Sequence, residues 1–144
     1  MQLGSLPLNQ VVARLPEGFL VDPQIGFETI TSTTRYRIKY APLPFTIEMF
    51  ELSDDAHDQL RFRQRIATTY NGVKAFLPRP EDVIITKLRR GISGKSRLKD
   101  EQDVANVLAV QTPGKLDLGY IREWADKHGT RELFERLLRE TPVV

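Results

Sequence analysis

Two acidic side chains and one basic side chain are spaced so that they can meet across a pair of helices. Asp100 and Asp103 are three residues apart, which places them on one face of a helix. Lys87 lies midway along the preceding helical pattern. If the two helices pack antiparallel, the lysine reaches both carboxylates. This cluster either fixes the helix pair as an ion pair or, with Arg90 and Lys99 beside it, attracts a phosphate group.

Glu48 is the other carboxylate whose position suggests chemistry. It lies in the middle of the strand pattern FTIEMFEL (45–52), on the face opposite Ile47 and Met49. It is therefore either a solvent-facing side chain or a carboxylate directed into a cleft. In a cleft it is a candidate ligand for a hard cation such as Mg²⁺.

Several other chemistries lack the residues that they need. The chain has no cysteine, so it has no disulfide and no thiolate ligand, and a reducing cytoplasm is the expected compartment. His57 and His128 are isolated in the sequence and are expected at the surface. The segment GISGKS (91–96) ends like a phosphate-binding P-loop, but Arg89 occupies the position of its first glycine. We expect a basic loop there.

The charge is concentrated in the middle of the chain. Residues 61–99 contain 11 basic and 2 acidic side chains, whereas residues 1–60 contain 4 and 8 and residues 100–144 contain 6 and 9. A basic segment of this kind can attract a nucleotide or a nucleic-acid backbone. The alternative is a solvated surface that pairs with the acidic ends of the same chain.

The first half of the chain has mainly strand patterns. A short amphipathic helix is expected at 8–15, and the segment 26–34 has no clear period. RYRIKY (35–40) and FTIEMFEL (45–52) predict an antiparallel pair. Ser53 is expected to cap a helix that follows. Asn71-Gly72, between two β-prone runs, predicts a hairpin because both residues tolerate positive φ.

The second half has helical patterns to its end. A helix is expected from Pro80 to a stop at Gly91, and a second over about 97–110 with Leu98 among its buried residues. Two more are expected over 117–127, with Trp124 in the core, and 130–140. The length of 144 residues suits one domain, 1–144, with a strand-rich part (1–79) and a helical part (80–144). The fold class is α+β. No run is apolar enough to span a membrane.

Motifs along most of the chain resemble those of small nucleotidyltransferase-like proteins of the polymerase-β superfamily. The similar segments are LPRPEDVIITKLRRG, RLKDEQDV and LDLGYIREW, together with FTIEMF upstream. The matching residues of the second half are Pro80, Glu81, Asp82, Lys87, Lys99, Asp100, Asp103, Leu116, Asp117, Tyr120 and Trp124. The resemblance implies a truncated nucleotidyltransferase-like fold with an antiparallel or mixed sheet and a C-terminal helical bundle.

The sequence departs from this family where catalysis occurs. Active members carry a Gly-Ser turn and an Asp-x-Asp strand that holds Mg²⁺, and the present sequence contains no Asp-x-Asp. Of the family's three catalytic acids only the third has a counterpart, Glu48, where the family usually has aspartate. We expect either an opening of about 40 residues that is missing, a degenerate site, or a site completed by another chain. Mg²⁺ is expected only if the site is completed.

These observations predict a degenerate or truncated nucleotidyltransferase-fold domain that binds a nucleotide or phosphate-rich ligand without transferring nucleotides. The expected ligand residues are Lys87, Arg90, Lys99, Asp100 and Asp103. One alternative is a nucleic-acid or protein-binding module of a toxin-antitoxin type pair, and another is an active transferase with a mis-assigned start. An unpaired sheet edge with exposed phenylalanines nearby predicts a homodimer or a partner chain.

Overall fold

The computed structural model describes residues 2–3, 8–93, 97–111 and 114–141. Within them the chain forms two compact units, Met1–Gln59 and Leu60–Val144. The Asn71-Gly72 hairpin belongs to the second unit, and the expected single domain with a strand-rich part (1–79) and a helical part (80–144) stays a prediction. Among the described residues, no helix combines the length and the apolar character that crossing a bilayer requires.

The first unit is built on a mixed sheet. Its elements are β1 (Gln2–Leu3), α1 (Leu8–Val12), β2 (Phe19–Val21), β3 (Gly26–Glu28), β4 (Thr33–Tyr40) and β5 (Thr46–Glu51). The strand order is β1-β5-β4-β2, and β3 also pairs with β4. The β1–β5 pair is parallel and the other pairs are antiparallel. The expected pairing of the 35–40 and 45–52 segments is confirmed.

The core of the first unit is small. Ile38 and Met49 are its buried hydrophobic residues, and Val11 and Leu15 pack against them. Helix α1 is shorter than the sequence pattern predicts. The Arg14 N–H donates to Val11 O and the Leu15 N–H to Val12 O, three residues back, so the helix tightens before Pro16.

The Glu28 side chain determines the structure of the segment 26–34, whose hydrophobic pattern favours neither helix nor strand. The Glu28 carboxylate accepts hydrogen bonds from the Ile30 N–H and the Thr31 N–H, both at 2.9 Å, and from the Thr31 hydroxyl at 2.6 Å. These contacts turn the chain from β3 into β4 without an apolar period. Side-chain capping of a turn explains why hydrophobic spacing does not reveal this structure.

The second unit contains a two-stranded sheet and a helical bundle. Its elements are β6 (Ile66–Tyr70), β7 (Val73–Leu77), α3 (Pro80–Ser93), α4 (Arg97–Val110), α5 (Leu118–His128) and α6 (Arg131–Glu140); α2 (Ala56–Arg63) contains the boundary between the units. Strands β6 and β7 pair antiparallel around Asn71 and Gly72, whose φ values are 47° and 78°. The predicted hairpin is therefore confirmed, with the positive φ at both turn residues that a type I′ turn needs.

The bundle encloses a continuous apolar core. Ten buried hydrophobic residues form it: Ile84, Ile85, Leu88, Val104, Leu108, Ile121, Trp124, Ala125, Phe134 and Leu137. The expectation that Trp124 is a core residue is confirmed. Leu98, by contrast, is 84% exposed. The buried stripe of α4 runs through Asp100, Val104 and Leu108, and Leu98 is about 200° away from Asp100 around the helix.

Two helix boundaries also differ from the sequence prediction. Helix α3 continues through Gly91 to Ser93. The helix penalty of one glycine, about 1 kcal/mol, does not end a helix by itself. Helix α2 is capped by Asp55, whose Oδ1 accepts from the N–H groups of His57 at 3.0 Å and Asp58 at 3.1 Å. The expected cap, Ser53, instead donates its hydroxyl to Asp58 Oδ2 at 2.6 Å.

Candidate functional site

The structure brings Lys87 of α3 together with Asp100 and Asp103 of α4. Lys87 Nζ donates to Asp100 Oδ1 at 3.0 Å and to Asp103 Oδ2 at 2.6 Å. The ion pair between helices that the spacing allows is therefore present. Asp100 is almost fully buried, whereas about a quarter of the Lys87 side chain and a third of the Asp103 side chain reach solvent. The cluster thus has one buried side and one open side.

The charges of this cluster stabilise one another. Burial lowers the pKa of Lys87, but its hydrogen bonds to Asp103 and Asp100 outweigh that effect, so the pKa is raised overall. Arg90 Nε lies 4.0 Å from Asp100 Oδ2, an oxygen that accepts no hydrogen bond from the described residues. An ammonium group has three N–H donors, and the two aspartates use two of them. Within the residues that the structure describes, the third donor of Lys87 remains for another acceptor.

Arg90 and Lys99 form the more exposed part of the candidate site. The Arg90 side chain is 43% exposed, and Lys99 is exposed on α4. Lys99 follows Leu98 and precedes the buried Asp100, so the helix itself directs it outward. The structure thus gathers Lys87, Asp100 and Asp103 tightly and places Arg90 at the edge of that cluster. Whether these residues bind a ligand stays a prediction.

A second polar cluster fixes the start of α3 against the start of α5. The Tyr120 hydroxyl donates to Asp82 Oδ1 at 2.8 Å, and the Asp117 N–H donates to Glu81 Oε1 at 3.1 Å. Glu81 and Asp82 are buried. Burial, and then the hydrogen bond to Asp82, raises the pKa of Tyr120. Acidic side chains in the first turn also complement the helix dipole of α3. Sequence matching identified these residues but not their contact.

Arg79 extends this second cluster. Its guanidinium lies 5.1 Å from the centre of the Tyr120 ring, and its Nη2 is 3.5 Å from Glu81 Oε1. Its Nη1 also donates to Gln64 Oε1 at 3.2 Å. Several cations of the basic segment 61–99 are therefore engaged within the second unit. The alternative interpretation expects pairs with the acidic ends of the chain; Lys87 and Arg97 make such pairs, whereas Arg79 pairs inside the segment.

Glu48 lies on the solvent side of the sheet. Its side chain is 42% exposed, and its Oε1 accepts from Arg35 Nη1 at 3.3 Å. Within the described ranges, the group of side chains that could hold a metal does not include Glu48. The residues described around Glu48 therefore do not fit a magnesium site, and no step through Mg²⁺ follows. The assignment of Glu48 as a metal ligand stays a prediction.

The group with metal-binding geometry is Asp55, His57 and Asp58. One ligand atom from each lies within 4.8 Å of the others. The expectation that His57 is at the surface is wrong, since it is 1% exposed. The side chains gather because Asp55 caps the helix and Asp58 accepts from Ser53. Helix capping explains why these side chains lie together.

The phenylalanines expected near a sheet edge are partly accessible. Phe27 is 63% exposed and Phe45 is 44% exposed. Phe50 is half-buried. These exposures are compatible with a partner, but the homodimer stays a prediction.

Comparisons with known proteins return similar folds only. No protein-family model and no curated protein matches the chain. An antigenic nucleotidyltransferase-like protein from Paracoccidioides brasiliensis is similar in structure, with 15% identity and a TM-score of 0.39. The comparison covers 94% of the present chain, which spans 66% of that protein. A proposed nucleotidyltransferase from H. pylori is similar over 95% of the present chain and 76% of its own, with 16% identity and a TM-score of 0.35.

Both solved structures are described in terms of the class that the sequence resembles. The α+β class is confirmed by the strands and helices of the structure itself. TM-scores this low transfer neither a site nor an activity. The function must be argued from the side chains of this chain.

Proposed function

We propose that this chain is a nucleotidyltransferase-like domain that binds a nucleotide or another phosphate-bearing ligand on α3 and α4, and that does not transfer nucleotides by itself. Lys87, Arg90 and Lys99 are the proposed ligand residues. Asp100 and Asp103 are positioning residues that hold the cations. The observation that supports the proposal is that Lys87 Nζ donates hydrogen bonds to both Asp100 and Asp103.

The two hydrogen bonds from Lys87 to the aspartates hold its side chain in one position before an anion binds. A lysine side chain loses considerable rotamer freedom when it is fixed, and here the aspartates have already fixed it. Three cations against two carboxylates leave the five-residue cluster with one net positive charge. A phosphate oxygen can therefore take the third donor of Lys87, with Arg90 and Lys99 supplying further charge from the open side.

The environment of Glu48 supports the proposal that the chain does not transfer nucleotides by itself. Nucleotidyl transfer by two metal ions needs several carboxylates that converge on one point. Glu48 is directed toward solvent and pairs with Arg35. A carboxylate that is neutralised in this way is a poor metal ligand, because the cation must first displace the guanidinium.

Calorimetric titration of Mg²⁺-ATP into the whole chain tests the proposal. We expect saturable binding by the wild type and an affinity about tenfold lower for the double variant Arg90→Gln/Lys99→Gln, since charge-assisted contacts are lost. A matched control is Arg63→Gln/Lys115→Gln, which removes two exposed cations of the same unit. Equal affinities for the two double variants would remove Arg90 and Lys99 from the site.

Two further measurements on the wild-type chain, nucleic-acid affinity as a function of salt and transfer of label from ATP, distinguish the alternative functions. If it is a nucleic-acid-binding module, its affinity for RNA or DNA falls linearly with the logarithm of salt concentration. If it is an active transferase, label from α-³²P-ATP appears in a covalent product. Our proposal expects neither a strong preference for nucleic acid over ATP nor a labelled product.

A further inference from the structure

A groove in the second unit lies among α3, α4 and α6 and has a volume of about 410 Å³. This volume is within the range of small-molecule sites, roughly 300 to 1,000 Å³. Four charged side chains line it, namely Arg97, Arg136, Arg139 and Glu132, and Ile92 and Leu133 add apolar surface. None of Lys87, Arg90 and Lys99 lines the groove. It is therefore separate from the site proposed above.

One carboxylate holds two of the arginines from different helices. Glu101 Oε1 accepts from Arg97 Nε at 3.0 Å, and Glu101 Oε2 accepts from Arg136 Nη2 at 2.8 Å. The hydrogen bond from Arg136, and then that from Arg97, lowers the pKa of Glu101. Arg136 Nη1 also donates to Glu140 Oε2 at 3.1 Å. These contacts fix the two guanidinium groups in the groove wall.

Arg97 and Arg136 each have N–H groups that make no hydrogen bond within the described ranges. A guanidinium has five N–H groups in a planar fork. Arg97 uses its Nε for Glu101, so the four N–H groups of its terminal nitrogens have no partner within the described ranges. Arg136 uses one N–H of each terminal nitrogen. Fixed guanidinium forks with unused donors match the oxygens of a phosphate group.

Helix α6 places a third arginine and an acid on the same wall. Glu132, Arg136 and Arg139 are spaced i, i+4, i+7, which is one helical face. At a rise of 1.5 Å per residue, Glu132 lies about 6 Å along the axis from Arg136 and about 10 Å from Arg139. Neither Glu132 nor Arg139 has a partner in the part of the chain that the structure describes. The groove is thus basic at one end and acidic at the other.

We propose that this groove binds a phosphorylated sugar unit, as in a nucleoside monophosphate. Arg97, Arg136 and Arg139 hold the phosphate group, and Glu132 accepts hydrogen bonds from the sugar hydroxyls. Glu101 is a positioning residue for the two arginines that it joins. The opposite charges at the two ends orient the ligand, with its phosphate group at the arginines and its sugar at Glu132. Ile92 and Leu133 supply an apolar surface for the rest of the ligand.

Titration of the whole chain with AMP, adenosine and inorganic phosphate, followed by calorimetry, tests this site. We expect AMP to bind more tightly than either fragment, because it alone satisfies both ends of the groove. The variant Arg97→Gln/Arg139→Gln should lower the affinity for AMP at least tenfold. The variant Arg63→Gln/Lys115→Gln removes the same charge at exposed positions outside both proposed sites and should change it less than twofold.

Different results separate this site from the one on α3 and α4. Loss of AMP binding only in Arg90→Gln/Lys99→Gln would overturn the groove and favour the first site. Absence of AMP binding by the folded wild type, or equal binding by Arg97→Gln/Arg139→Gln and Arg63→Gln/Lys115→Gln, would also overturn it. Because Arg97 and Arg139 lie at the surface, circular dichroism should show that both variants remain folded.

A single substitution tests the acidic end. Glu132→Gln should bring the affinity for AMP close to that for inorganic phosphate while leaving phosphate binding in place or stronger. The readout is the ratio of the two affinities, which a general loss of structure would not change selectively. An unchanged ratio would contradict the role of Glu132 as the acceptor for the sugar.

Discussion

The two units of the molecule differ in how they bury apolar surface. The second unit has ten buried hydrophobic residues in one cluster, whereas the first unit has two, Ile38 and Met49. Burial of apolar surface is the dominant favourable term in folding. The comparison indicates that most of the stability of the described chain lies in the second unit. Both proposed phosphate sites lie on that unit.

The buried carboxylates of the two units have different kinds of partner. In the second unit, buried Asp82 and Asp100 are held by donors from other helices. In the first unit, buried Asp58 accepts from Ser53, which is five residues away in the chain, and Glu48 pairs with Arg35 at the surface. Exposed pairs contribute little, whereas a buried carboxylate needs its donor. The motif residues of the second half that resemble the nucleotidyltransferase-like family therefore include those that lock the helices together.

The largest expected effect comes from the core of the second unit. Phe134→Ala should lower the free energy of unfolding by about 3 to 5 kcal/mol, because it leaves a cavity among α5, α6 and their neighbours. Phe27→Ala removes the same side chain from an exposed position of the first unit and should cost less than about 1 kcal/mol. Urea unfolding monitored by far-ultraviolet circular dichroism, which reports on both units, measures both. Similar costs for the two would remove the difference between the units.

Loss of the lysine between the two aspartates should have the next largest effect. Lys87→Met leaves buried Asp100 with Arg90 at 4.0 Å as its remaining cation, and we expect a loss of about 2 kcal/mol. Lys99→Met, on the exposed side of α4, serves as the control and should be nearly neutral. Urea midpoints give the comparison. If Lys87→Met left the free energy of unfolding unchanged, the contacts of Lys87 with Asp100 and Asp103 would not stabilise the packing of α3 on α4.

Removal of the tyrosine hydroxyl at the second cluster should have a smaller effect. Tyr120→Phe deprives Asp82 of one donor and should cost about 1 to 1.5 kcal/mol. Tyr70→Phe makes the same change on the exposed hairpin and should leave stability unaltered. Thermal unfolding of both variants is the measurement. An equal response would mean that the contact between α3 and α5 is not stabilising.

The smallest effect is expected at acid pH. The hydrogen bond from Arg122, with help from Arg131, lowers the pKa of Glu135 from 4.5 to about 2. Between these values the unfolded state binds the proton and the folded state does not. The stabilisation is therefore complete above pH 4.5 and is lost as the pH falls toward 2. Glu135→Gln should flatten the stability profile in that window; a profile as steep as that of the wild type would contradict this assignment.

Local signals account for what the sequence predicts well. Asn71-Gly72 fixes its hairpin by backbone conformation alone, and the spacing of Asp100 and Asp103 identifies their shared helix face. The groove, in contrast, joins Arg97 to Arg136 and Arg139 across 39 or more residues, and no local pattern reports that distance. Leu98 and His57 were misplaced because apolar or isolated residues do not reveal which face of a helix meets the core. Packing between elements decides these positions.

Hydrogen exchange on the whole chain tests most directly the claim that the second unit is the stable scaffold for both proposed sites. Mass spectrometry of exchanging peptides compares the units within one molecule, without any substitution. The slowest exchange should occur in α3 (Pro80–Ser93), α5 (Leu118–His128) and α6 (Arg131–Glu140), with β4 and β5 exchanging faster. Slower exchange in β4 and β5 than in these helices would contradict the account.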